Sequence, residues 1–137
     1  MSIVQTQTTS FKAELYEAIH NLLTDTLKIA LYTANADLNE ATTVYSSANE
    51  VSGGGYTAGG VVLTGVTINS DGYTAYVNFN NVAFSAAVTA RCALIYNASK
   101  SDKSIAVLDF GSDKTSTSFT ITMPSNTATA ALIRSSN

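Results

Sequence analysis

The apolar positions of this chain change period once, near Thr26. Before that point Phe11, Leu15, Ile19 and Leu22 recur at spacings of four and three, Leu23 widens the stripe, and Ser10 stands where an N-cap belongs. The spacing predicts an amphipathic helix of roughly three to four turns, with Glu14 and Glu17 in its first half complementing the helix dipole. Residues 1–9 are polar and read as a flexible N-terminal arm, which leaves 10–137 as a single β-rich domain with the helix at its start.

From Thr26 onward the period is two. Leu27, Ile29 and Leu31 face one way and Lys28, Ala30 and Tyr32 the other. Val66 and Ile68 run into Asn69-Ser70-Asp71-Gly72, and Tyr73, Ala75, Val77 and Phe79 return against Thr74, Tyr76 and Asn78, a hairpin with Asp-Gly in its turn. A second hairpin is predicted from 88–96 and 105–110 around a polar connection, and a third from 118–123 and 127–134 around Pro124-Ser125-Asn126. Short strands with turn signals between them predict a mainly β fold: a β-sandwich or small barrel of short antiparallel strands, with the one helix covering an open end or edge. Leu15, Ile19 and Leu22 are expected to pack on the chain's own sheet. Residues 34–52 have weak periodicity, anchored only by Leu38, Val44, Tyr45 and Val51, and read as a long loop around the outside.

Composition narrows the function classes. A chain of 137 residues suffices for one core. Charged residues make up only 12% while Thr, Ser, Ala and Asn are abundant, so the surface is polar but weakly charged, which permits close packing of many copies. A net charge of −3 with two arginines and five lysines is poor material for binding phosphates, so no nucleic-acid partner is expected. No run approaches the ~18 apolar residues of a membrane span and no export signal is visible, so the expectation is a soluble chain with no membrane partner.

The search for chemistry points away from an enzyme. His20, the only histidine, has no cysteine or second histidine with which to form a zinc site and reads as a solvated or core-edge residue. The only cysteine, Cys92, lies in an apolar run that disfavours its thiolate, and no Gly-x-Ser-x-Gly elbow is present. The glycine run at 53–60 lacks the Lys-Ser/Thr of a phosphate loop and is followed by Val61-Val62, a strand rather than a helix. Asp109-Phe110-Gly111 reads as a strand end and turn, and Asp71 as a turn residue. No cofactor and no metal are expected. Tyrosine is the conspicuous type: Tyr73 and Tyr96 are expected to complete the core, whereas Tyr45, Tyr56, Gly59 and Gly60 are the candidate interface or loop-anchor residues. For Tyr56, flanked by glycines, the expectation is a side chain tucked back to hold its own loop.

The order of pieces resembles a family of small virion proteins of tailed bacteriophages. It is carried by the N-terminal helix, Lys28-Ile29-Ala30-Leu31-Tyr32, the loop Gly54-Gly55-Tyr56-Thr57-Ala58-Gly59-Gly60, the run Ala90-Arg91-Cys92-Ala93-Leu94-Ile95-Tyr96-Asn97, and Leu108-Asp109-Phe110-Gly111. The chain departs from that family at Cys92, near which members usually carry an aromatic. The resemblance implies a non-enzymatic structural component of the particle, located in the virion and assembled in the host cytoplasm. Within that class the reading is a capsid decoration or cement protein, forming homo-oligomers and binding phage capsid or tail proteins, with 34–60 making the contact. The alternative is a tail, neck or head-fibre adaptor. A carbohydrate-binding module is a third reading from a different class.

Overall fold

Thr8, rather than Ser10, caps the single helix found among the described residues. Its hydroxyl accepts a hydrogen bond from the Phe11 N–H, and α1 spans Thr9–Tyr16, two turns instead of the expected three to four. The helix stops because Ala18 adopts a left-handed backbone (φ 60°) and the Glu17, Ala18 and Ile19 N–H groups turn back onto Glu14 and Leu15. The apolar stripe therefore never forms as one face. Phe11 is buried, Leu22 reaches the core from the loop that follows, and Leu15 and Leu23 remain exposed at 37% and 64%.

The computed structural model describes residues 2–136, of which strands dominate: 41% strand against 6% helix, in antiparallel sheets with no closed barrel. Five strands form the main sheet in the order β1 (Thr6–Gln7), β8 (Lys103–Ser116), β7 (Val88–Asn97), β2 (Leu27–Tyr32) and β3 (Val61–Val62). A three-stranded sheet runs β10 (Ile133–Ser135), β5 (Thr74–Asn78), β4 (Thr67–Asp71), and a two-residue pair joins β6 (Val82–Ala83) to β9 (Thr120–Ile121).

Period two in β2 decides the layering. Leu27, Ile29 and Leu31 enter a core shared with Ala93 and Ile95 of β7, Ile105 and Leu108 of β8, Val77 of β5 and Ile133 of β10, so the two larger sheets bury one common face. Ala30 and Tyr32 point to the opposite face, where a second cluster gathers Cys92, Leu94, Tyr96 and Val107. The segment 34–50 lies over that second face and contributes Ala36, Leu38 and Tyr45. It is irregular, as its weak periodicity predicts, yet it covers a core.

Three further expectations are corrected. The polar arm is paired: Thr6 and Gln7 lie opposite Val107 and Ala106, and the Val4 N–H donates to Leu38. The third hairpin does not form, because β9 pairs with β6 and β10 with β5, while Asn81 and Asn78 side chains bind the backbone at Met123 and Pro124. Tyr73 sits in the two-residue turn between β4 and β5 and is 88% exposed, so it is not a core residue. Its neighbours Val77 and Phe79 are buried.

Candidate functional site

Where the main sheet ends at β3, its β2 edge is continued by residues 49–51. The Val51 N–H donates to the Leu31 carbonyl and the Thr33 N–H to Asn49. This places Glu50 beside β2, bridged to Tyr32, and its carboxylate collects the residues around it. The Tyr45 hydroxyl donates to Oε1 at 2.6 Å, the Tyr56 hydroxyl donates to Oε2, and the Gly59 N–H donates to the same Oε2 at 2.8 Å. Tyr56 also accepts from the Leu31 N–H at 3.0 Å, a backbone donor that β3 is too short to reach. Around this centre the Tyr96 hydroxyl donates to the Gly59 carbonyl at 2.6 Å, Tyr32 donates to Ser46, and the Tyr45 ring stacks on Tyr96 with centroids 4.6 Å apart.

Tyr45, Tyr56 and Gly59 thus meet on one carboxylate, and Gly60 completes the approach. Gly60 has φ +81°, and a Cβ there would collide with the Ile29 carbonyl oxygen, so only glycine lets the loop lie this close to β2. Burial, reinforced by the hydrogen bond to Glu50, holds the Tyr45 and Tyr56 hydroxyls well above the usual tyrosine range. Burial does the same for Tyr32 and pushes Tyr96 up to about 12. These hydroxyls act as neutral donors. The arrangement is a clasp: one acid ties the covering segment 34–50 and the glycine loop 53–60 to the same strand. Sequence reasoning passed over Glu50 and Tyr32. The available signal was an acid at the very end of a long irregular segment, three residues before a glycine run, in a chain with so few charges.

The other residues weighed for chemistry are also engaged in holding structure. The His20 side chain is fully buried, with Nε2 2.8 Å from Glu14 Oε1 and Nδ1 3.0 Å from Asn97 Nδ2. The Asn97 amide is oriented by donating to Asp25 and accepting from the Ser99 N–H, so its NH2 group faces Nδ1 and the imidazole proton belongs on Nε2, toward Glu14. Both ring nitrogens are thus engaged by neighbouring side chains. Asp25 experiences burial that opposes ionisation, but donors from Asn97, the Asn21 N–H and Lys100 outweigh it and hold the carboxyl below its usual range. Burial pushes the Cys92 thiol up to about 12, with the Asp109 charge adding to the shift. Asp109 is held low by the Gly111 N–H and by Arg91 at 3.1 Å, and Asp71 lies at the β4–β5 turn. Among the described residues, no three His, Cys, Asp or Glu side chains are grouped so as to hold a metal ion. Compared with protein-family models, with curated proteins and with solved structures, the chain has no significant match.

Proposed function

We propose that this protein is a non-enzymatic structural component of a tailed-phage particle, a capsid decoration or cement protein that adds contacts to the head shell. The observation that supports the reading is the clasp. An irregular segment of this length would lose much conformational freedom on binding, but here its inward side is already tied down by Glu50, Tyr45, Tyr56 and Tyr32. Its outward side over residues 41–49, Ala41, Thr43, Ser46, Ser47, Ala48 and Asn49, is exposed and uncharged, and the segment's two exposed acids, Asp37 and Glu40, lie ahead of that stretch. A surface of that kind binds by area and shape. A weak contact suffices where many copies meet a repeating lattice.

The test is reconstitution. Purified heads lacking the protein are mixed with the labelled chain and separated on a gradient. Saturable binding to heads, with raised resistance to heat-induced loss of DNA, is the expected outcome. Label confined to tails or necks replaces this reading with the adaptor, glycan binding without particle binding replaces it with the carbohydrate module, and binding to none of these rejects the virion assignment.

A further inference from the structure

We propose that the open edge of β4 is where a second copy of this chain joins, strand against strand, about a two-fold axis through Asn69. The two-residue turn at Gly72–Tyr73 makes Asp71 and Thr74 a pair that exchanges both backbone hydrogen bonds. Alternation then gives the same role to Asn69 with Tyr76 and Thr67 with Asn78. The N–H and C=O groups of Ile68 and Ser70 therefore point out of the sheet, and among the described residues no loop or cap binds those N–H groups. All five residues of β4 are exposed.

The other edges of the two larger sheets are blunted. β1 and β3 are two residues long, and beyond β1 the edge of β8 is capped by the Gln5 side chain on the Asp109 N–H and bent by a register shift opposite Arg91. On β10, Gln7 Nε2 binds the Arg134 carbonyl. β4 pairs in unbroken register and carries no lysine, proline or bulge.

What fits this edge is β4 itself. With Asn69 opposite Asn69 of the second copy, Ile68 falls opposite Ser70 and Ser70 opposite Ile68, and each of these pairs exchanges two bonds, four in all. The one charge on the strand, Asp71, falls opposite the Thr67 hydroxyl, so no like charges meet. Ile68, 47% exposed, lies on the same face as a groove of about 380 Å³ lined by Leu15, Leu22, Ala75, Val77 and Ile133. Pairing joins the two grooves beneath the new six-stranded sheet and draws both Ile68 side chains together. The inference goes beyond the virion reading, in which residues 34–60 make the contact, because it places the meeting of copies on the β4 edge and leaves 34–60 to the shell.

The test combines sedimentation equilibrium with disulfide trapping. The wild type should dissociate from dimer to monomer on dilution. Asn69→Cys places two thiols across a non-hydrogen-bonded pair, about 4.5 Å apart at Cα, and should form a covalent dimer under mild oxidation while Tyr73→Cys in the exposed turn does not. Ser70→Pro removes an outward N–H and should give a folded monomer with self-association weakened at least tenfold. A wild type that stays monomeric at all concentrations, trapping of Asn69→Cys no faster than Tyr73→Cys, or an oligomer that survives Ser70→Pro with its circular dichroism intact would each overturn the inference. Head binding by a strict monomer leaves the virion reading standing while removing this one.

Discussion

The two faces of the main sheet are covered in different ways. One meets a second sheet, and its residues, such as Ile29, Ile95, Ile105, Val77 and Ile133, bury aliphatic surface against aliphatic surface. The other meets a segment with almost no secondary structure, and there small or amphipathic side chains gather, Ala30, Ala36 and Cys92 with three tyrosines whose hydroxyls are tied at the rim, Tyr45 to Glu50, Tyr32 to Ser46 and Tyr96 to Gly59. A sheet satisfies its own backbone and can be held by area alone. An irregular strap cannot, so its position depends on a few directed bonds. The first face is expected to set global stability, the second to set a local opening.

The largest effect should come from the first face. Ile29→Ala is expected to cost about 2–5 kcal/mol, measured by denaturant unfolding with an unchanged m-value. On the second face Glu50→Gln keeps one acceptor oxygen and sets an NH2 group where the other stood, so that the Tyr45 and Tyr56 hydroxyls and the Gly59 N–H are left with a single acceptor between them, at about 1–3 kcal/mol. It should also open the strap: Cys92, buried beneath it, becomes a reporter whose alkylation in native buffer rises roughly tenfold for each 1.4 kcal/mol lost locally. Ile29→Ala accelerating Cys92 labelling more than Glu50→Gln, at matched stability, would break the distinction between the faces.

Dependence on pH sharpens it further. The tyrosines around Glu50 have folded pKa values raised above the ordinary 10.0, so the stability they contribute is complete below that value and is lost as pH rises beyond it. Alkaline titration should therefore loosen the strapped face first, with Cys92 labelling corrected for thiolate content rising ahead of far-UV change. Tyr56→Phe should shrink the alkaline loss. Asp25 and Asp109 behave oppositely: depressed from 3.8, they hold stability above that pH and give it up as acid protonates them. The smallest effect belongs to a side chain that touches neither face: Leu23→Ser should stay within about 0.5 kcal/mol by thermal unfolding.

Period two made β2 and most of β7–β8 readable, because each buries one or both faces against a neighbour and the pattern records it, while the β4–β5 hairpin, whose first strand is exposed throughout, was readable from its turn and from the buried Val77 of β5. The helix was overestimated because Leu22 fits its period while reaching the core from a loop and Ile19 fits it while only half-buried, and period alone does not show the backbone reversal at Ala18. β9 and β10 were assigned to each other because they are adjacent in sequence, whereas their partners are selected by sheet edges and by Asn78 and Asn81. At the site, the glycines and tyrosines were conspicuous by type. The acid that joins them was not, since a carboxylate that accepts from two tyrosines has the same sequence signature as one in water.

The chain's first strand has its partner a hundred residues away: Thr6 pairs with Val107, and Thr8, which caps the helix, also bonds to Ser104 and Ile105. During synthesis the N-terminal segment leaves the ribosome long before anything exists for it to pair with, and the main sheet cannot close until β8 has emerged. Local structure available meanwhile amounts to the β4–β5 hairpin and two turns of helix, neither stable alone. Acquisition of the native state is therefore a late, concerted event with a topology of high contact order, on the slow side of milliseconds to seconds. Until β8 emerges the strands it will pair with stay open, so a slow closure is expected to lengthen the time in which those edges can meet another copy.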